Sequence, residues 1–176
     1  MKVALVIGHK KDRPGACNND YAICEFEFNE KLVKDVKDKV NRYYEVDIVY
    51  RDTYRDLPSR VNKLNSDFVV SFHCNAFNKK VSGSETLYYY KSNKGKKIAK
   101  IFQSYVVETL KLPDRGIKGK GSEDRGGYIL RYTDAPCILI EPFFIDNNSD
   151  YKTVKDNYDL FVEALKNAIH DALSIV

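Results

Sequence analysis

Apolar positions recur along the chain with two different periods, which predicts strands and helices in turn. Runs of strand length are Val3–Gly8, Val46–Tyr50, Phe68–Phe72, Glu85–Tyr90, Tyr128–Tyr132 and Cys137–Ile140. Segments with helical period lie at about Tyr21–Tyr43, Pro58–Leu64, Gly95–Leu110 and Tyr151–Leu173. This alternation is typical of an α/β protein. We therefore predict a mostly parallel twisted sheet with helices on both faces.

Length and charge narrow the possible classes of protein. A chain of 176 residues with 43% hydrophobic content suits one compact domain, which we expect to span residues 1–176. The 29 basic and 25 acidic residues are spread along the chain, so no basic arm for nucleic acid is predicted. No apolar stretch approaches the roughly 20 residues that span a bilayer. We expect neither a nucleic-acid partner nor insertion into a membrane.

The N-terminal segment and the cysteines bear on the cellular location and the redox state of the protein. The N-terminal apolar run, Val3–Ile7, is shorter than the apolar core of a signal peptide and is followed by charged residues, so no signal peptide is predicted. The four cysteines, Cys17, Cys24, Cys74 and Cys137, form no CxxC pair. We therefore expect free thiols in a reducing compartment.

One glycine-rich segment, residues 116–127, interrupts the regular pattern. It lacks both the Gly-Lys-Ser/Thr ending and the following helix of a phosphate-binding loop. We interpret it as a flexible surface loop, with a place beside the substrate as the alternative.

Titratable side chains end three of the predicted core strands. The runs VALVIGH, FVVSFH and CILIE end on His9, His73 and Glu141. In open α/β sheets, ligands bind in the crevice beyond the carboxyl ends of parallel strands, so these three residues indicate one site. The third histidine, His170, lies opposite the apolar stripe of its helix and is predicted to face solvent.

Two histidines at one cleft suggest zinc, and a catalytic zinc usually takes three protein ligands. Glu25 is the candidate third ligand because Phe28, Leu32 and Val36 follow it at three, seven and eleven residues and share its helix face. A carboxylate on an apolar face needs a cationic partner, which a metal ion supplies. The nearby glutamates of the same helix, Glu27 and Glu30, are predicted to face solvent.

These segments together resemble a known enzyme family. The stretches are VIGHKKDRPGA, the Glu25 helix, SFHCNA, GSETLYYY and PCILIEPFFIDN. They are similar in order and spacing to the motifs of the zinc-dependent N-acetylmuramoyl-L-alanine amidases, especially the catalytic domains of bacteriophage endolysins. The resemblance implies that His9, Glu25 and His73 bind Zn²⁺ and that Glu141 is the catalytic carboxylate.

The resemblance also implies a reaction and a place where it occurs. The expected substrate is peptidoglycan, cut at the amide bond between N-acetylmuramic acid and L-alanine. Glu141 would take a proton from water and pass it to the leaving amine. An endolysin would stay in the host cytoplasm until its release to the cell wall.

Other readings remain open from sequence alone. Another zinc peptidase of carboxypeptidase type could use the same fold, since fold does not decide function. A non-catalytic wall-binding module is a further alternative, although it would give Glu141 no role beside the ligands. Asn75 and Ser84 are candidates for shaping the cleft, with a loop-structuring role as the alternative for Asn75.

Overall fold

The secondary structure follows the predicted alternation over most of the chain. A computed structural model describes residues 1–176. Its strands are β1 (Lys2–Ile7), β2 (Cys17–Asn18), β3 (Ile23–Cys24), β4 (Glu45–Tyr50), β5 (Phe68–Phe72), β6 (Ser84–Tyr89), β7 (Asp114–Lys120) and β8 (Cys137–Glu141). Its helices are α1 (Glu25–Val40), α2 (Leu57–Asn62), α3 (Asn93–Leu110), α4 (Gly127–Tyr132), α5 (Asn148–Asp156) and α6 (Tyr158–Leu173).

Six strands form the central sheet in the order β4-β1-β5-β8-β6-β7. The β1–β4, β1–β5, β5–β8 and β6–β7 pairs are parallel, and only the β6–β8 pair is antiparallel. The central strands are buried on both faces, which explains why they read as continuous apolar runs. The predicted mostly parallel sheet is confirmed.

Helices cover both faces of this sheet, as predicted. Because successive side chains of a strand point to opposite faces, β1 contributes to two separate cores. Val3, Leu5 and Ile7 pack in the larger core with α1, α3 and α6. Ala4 and Val6 pack in the smaller core with α2 and α4. None of the helices combines the length and the apolar character needed to cross a membrane.

Two predicted elements are wrong in type. The run Tyr128–Tyr132 forms most of helix α4 and not a strand, since a short apolar run fits either element and periodicity cannot decide between them. Part of the predicted loop 116–127 belongs to strand β7, which pairs only with β6 at the edge of the sheet. This edge strand is largely exposed, so it carries no apolar pattern that would reveal it.

The predicted C-terminal helix is two helices, α5 and α6, which meet at Asn157. The backbone of Asn157 leaves the helical region, with φ −112° and ψ 20°. Its side-chain Nδ2 donates a hydrogen bond to the carbonyl oxygen of Thr153 at 2.9 Å. Such local bonds from asparagine compete with helix continuation, which explains the break.

Candidate metal centre

The three predicted strand-end residues lie at the same edge of the sheet. His73 follows β5 directly, His9 follows β1 after Gly8, and Glu141 is the last residue of β8. These strands are adjacent and parallel, so their carboxyl ends meet. The backbone N–H of His73 donates to the carbonyl oxygen of Ile140 at 3.0 Å, which extends the ladder up to the site. His170 is exposed at the far end of α6, as predicted.

Glu25 lies between the two histidines. Its Oε2 is 3.1 Å from His9 Nε2, and its Oε1 is 3.0 Å from His73 Nδ1. The candidate ligand atoms of the three residues all lie within 4.8 Å of one another. Glu25 is the first residue of α1 and is 1% exposed, whereas Glu27 is exposed. The helix therefore presents Glu25, and not Glu27, to the histidines.

The Glu25 carboxylate is buried as a charged group. Burial acts to raise its pKa, but hydrogen bonds with His73 and His9 outweigh that effect and hold the pKa well below its usual range. The backbone N–H groups of Cys74 and Ala16 also donate to it, at 3.0 and 3.4 Å. The helix N-terminus adds a favourable dipole. No lysine or arginine pairs with Glu25, so its side-chain partners are the two imidazoles.

This donor set fits a zinc ion. Two imidazole nitrogens and one carboxylate oxygen are a known set of three protein ligands for catalytic zinc. Placing a divalent cation among them would compensate the buried negative charge of Glu25. The convergence of the three groups is thus better explained by a metal than by packing.

Two glycines that the sequence analysis passed over make room for this arrangement. A Cβ atom at Gly8 would lie 2.7 Å from the His73 ring, and one at Gly15 would lie 2.6 Å from Glu25 Oε2 and 2.8 Å from the His9 ring. His9 itself has φ 65°, in the left-handed region that residues with side chains rarely adopt. For Gly8 the sequence did offer a sign of this role, since it directly precedes His9 at the end of a predicted strand.

Glu141 and both histidines line one open cleft of about 400 Å³, to which Arg125 and Tyr128 also contribute. Glu141 is 5% exposed. Burial raises its pKa, and the opposing charges of His73 and Arg125 only partly offset that effect. A carboxyl group that holds its proton nearer to neutral pH is suited to exchange protons with a substrate.

The candidate cleft residues Asn75 and Ser84 both have structural contacts. Asn75 Nδ2 donates to Glu85 Oε1 at 3.0 Å, and Arg115 Nε donates to Glu85 Oε2 at 3.1 Å. Glu85 lies directly opposite Glu141 in the β6–β8 pair, and sequence reasoning did not single it out. Ser84 Oγ donates to the carbonyl oxygen of Pro142 at 2.6 Å, which fixes the chain just after Glu141.

The prediction of four free thiols is wrong for two of them. Cys17 and Cys24 lie opposite each other in the β2–β3 pair and form a disulfide. The hairpin brings them together, although their spacing is not that of a CxxC motif. Cys74 and Cys137 are free and buried. The disulfide closes the segment that precedes Glu25, and it is a bond typical of an oxidising compartment.

Replacing both Cys17 and Cys24 by serine is expected to lower the free energy of unfolding. Cys24 follows Cys17 by seven positions. Removing a crosslink of that span gives the unfolded chain more conformational entropy, which lowers the free energy of unfolding by about 2 kcal/mol. Urea denaturation of the oxidised wild type and the variant would measure the difference. As a control, a reducing agent should destabilise the wild type to the level of the variant and leave the variant unchanged. Equal stability of the oxidised wild type and the variant would contradict the disulfide.

The chain is similar to several known proteins. It is 32% identical over 172 residues to N-acetylmuramoyl-L-alanine amidase LytC of Bacillus subtilis, covering 93% of this chain and 33% of that protein. It is 31% identical over 162 residues to the endolysin of Bacillus phage SPP1, covering 87% of this chain and 58% of that protein. The chain therefore spans about a third to just over half of these two relatives.

Structure comparison supports the fold, and a family model assigns the family. The fold matches a crystal structure of N-acetylmuramoyl-L-alanine amidase from Clostridium difficile 630 with a TM-score of 0.86 at 24% identity, covering 98% of this chain and 96% of that one. A family model described as N-acetylmuramoyl-L-alanine amidase matches residues 3–172. That match covers nearly the whole chain, including His9, Glu25, His73 and Glu141. The chain belongs to the N-acetylmuramoyl-L-alanine amidase family.

Proposed function

We propose that residues 1–176 are the catalytic domain of a zinc-dependent amidase that cleaves peptidoglycan between N-acetylmuramic acid and L-alanine. One observation carries the proposal: His9, Glu25 and His73 converge beside the cleft that Glu141 lines. The names of the relatives, which include an amidase and a phage endolysin, support the substrate.

His9, Glu25 and His73 would hold the zinc ion. When bound, zinc acts as a Lewis acid on a carbonyl oxygen and lowers the pKa of a coordinated water to roughly 7. The chain keeps this site rigid, because Glu25 is anchored by the backbone N–H groups of Cys74 and Ala16. His9 Nε2 and His73 Nδ1 both face the Glu25 oxygens, so the donor atoms of the three residues are directed toward one another.

Glu141 would move the protons of the reaction. As a carboxylate it accepts a proton from the attacking water, and as a carboxylic acid it donates that proton to the amide nitrogen, which leaves only after protonation. The raised pKa of Glu141 supports both roles, since burial makes the protonated form accessible nearer to neutral pH. The hydrogen bond from Ser84 Oγ to the carbonyl oxygen of Pro142 fixes the backbone next to Glu141.

We further propose that the substrate is reached at the cell wall, after release of the protein from the host cytoplasm. The similarity to a phage endolysin supports this route. The Cys17–Cys24 disulfide suits the oxidising conditions outside the cytoplasm. The active form at the wall would thus be the oxidised one.

Digestion of purified peptidoglycan tests the proposed activity. We expect new N-terminal L-alanine amines, detected by amine labelling and amino-acid analysis, and no new reducing sugar ends. A carboxypeptidase-type enzyme would instead release amino acids from the carboxyl end of the stem peptide. A wall-binding module would sediment with the walls and release neither product. Either of these two results would contradict the proposal.

A further inference from the structure

A row of tyrosine rings leads away from the candidate metal centre over the face covered by α2 and α4. The ring centroids of Tyr54 and Tyr128 are 5.6 Å apart, and those of Tyr128 and Tyr132 are 4.7 Å apart. Tyr128 and Tyr132 are four residues apart on α4 and so share one face of the helix. Tyr54 is 40% exposed and Tyr132 is 47% exposed, which leaves ring surface available to a ligand.

These rings join two cavities into one path. Tyr54 and Tyr128 line the cleft that contains His9, His73 and Glu141. Tyr128 also lines a shallower groove of about 500 Å³ between α2 and α4, together with Tyr132. A chain-like ligand that enters the cleft can therefore continue along the groove without leaving the protein surface.

The groove offers a particular chemistry. Its other polar lining residues are Arg55, Ser59, Asn62 and Lys63, and no carboxylate lines it. Arg55, Ser59 and Lys63 can donate hydrogen bonds to a ligand, and Ser59 can also accept one. The Asn62 amide is already bonded within the protein, to the Tyr132 carbonyl oxygen and the Asp134 N–H. The guanidinium of Arg131 lies over the Tyr132 ring, 5.4 Å from its centroid. The groove thus combines exposed aromatic rings with a hydroxyl group and cationic hydrogen-bond donors.

Sugar polymers match this combination. The C–H bonds on the face of a pyranose ring pack against the negative face of an aromatic ring, while hydroxyl and acetamido groups bond to side chains at the rim. A stem peptide has no such faces to present to successive tyrosines. An anionic polymer would use Arg55 and Lys63 but not the exposed rings.

We propose that the α2–α4 groove, built on Tyr128 and Tyr132, binds the peptidoglycan glycan strand next to the muramoyl residue in the cleft. This subsite rests on the proposed function, which places the amide bond of the muramoyl residue in the cleft. The enzyme then acts better on a glycan polymer than on a single muramoyl-peptide, since only the polymer reaches the groove.

Kinetics on two substrates test the subsite. We expect Tyr132→Ala in the zinc-loaded protein to lower kcat/KM on polymeric peptidoglycan about tenfold more than on a soluble muramoyl-peptide with one sugar. The matched control is Tyr43→Ala, which removes a tyrosine that is 71% exposed and lies outside both cavities. Equal losses on the two substrates, or no loss on either, would overturn the proposal.

A binding experiment separates this proposal from the proposed function. Titration of zinc-loaded Glu141→Gln protein with the tetrasaccharide of N-acetylglucosamine, followed by NMR, is expected to show saturable binding that Tyr132→Ala weakens about tenfold and Tyr43→Ala does not. Absence of binding would overturn the subsite, as would stronger Tyr132-dependent binding of an anionic wall polymer or a free stem peptide. If the sugar binds as expected but wild type produces no new N-terminal L-alanine amines on walls, the proposed function fails while sugar binding in the groove stands.

Discussion

Replacing His73 by alanine is expected to abolish both zinc binding and wall lysis, with a loss of activity of about a thousandfold or more. The reason is that a catalytic zinc relies on three protein ligands, and the site supplies only His9, Glu25 and His73. His9→Ala and Glu25→Ala are expected to behave alike. Metal content of the purified proteins, measured by mass spectrometry, and release of soluble wall fragments would check this. Full activity in a metal-free preparation would contradict it.

Glu27→Ala is the matched control for Glu25→Ala. Two residues of separation turn a helical side chain by about 200°, so the two glutamates face in opposite directions. Glu25 is buried between the histidines, and Glu27 is exposed. Glu27→Ala should keep the metal and change the free energy of unfolding by no more than about 0.5 kcal/mol. If Glu27→Ala lost zinc and Glu25→Ala kept it, the ligand assignment would be wrong.

Glu141→Gln is expected to keep the zinc and lose activity by roughly a hundred- to ten-thousand-fold. A positioned acid and base contributes a factor of this size, and glutamine has the same shape but exchanges no proton. Zinc content and the rate at which new N-terminal L-alanine amines form would be measured together on the same preparation. Loss of the metal in this variant would instead make Glu141 a ligand.

The stability of Glu141→Gln provides a control for misfolding. Burial raises the pKa of Glu141 in the folded protein, so the folded state favours its protonated form. Ionisation therefore destabilises the fold as pH rises through that raised pKa, and the penalty is fully present above it. At neutral pH the metal-free variant should therefore be at least as stable as the metal-free wild type. A large loss of stability would mean that reduced activity reports misfolding.

The sequence predicted that the candidate residues meet at one edge of the sheet, because the ends of parallel strands follow simple rules. His9, His73 and Glu141 end continuous apolar runs, and parallel strands bring such ends to one edge of the sheet. Helical phase likewise separated Glu25 from Glu27, since Phe28, Leu32 and Val36 are all buried in α1. Where a strand or a helix face is fully buried, the spacing of its apolar residues was sufficient to predict which way its side chains point.

The parts that the sequence did not predict depend on contacts between distant or exposed segments. Strand β7 lies at an exposed edge and is identified only by its pairing with β6. The Cys17–Cys24 disulfide depends on a hairpin of two-residue strands, too short to leave a pattern. The need for glycine at Gly8 and Gly15 arises from rings and a carboxylate elsewhere in the chain.

The central claim is the identity of the bond that is cleaved, and digestion in oxygen-18-enriched water tests it most directly. Hydrolysis of the muramoyl–alanine amide transfers the water oxygen to the acyl carbon, so mass spectrometry should find the label in the lactyl carboxyl group of muramic acid. The released peptide should begin with an unlabelled L-alanine. Label in a carboxyl group of the stem peptide, or at a sugar reducing end, would contradict the account.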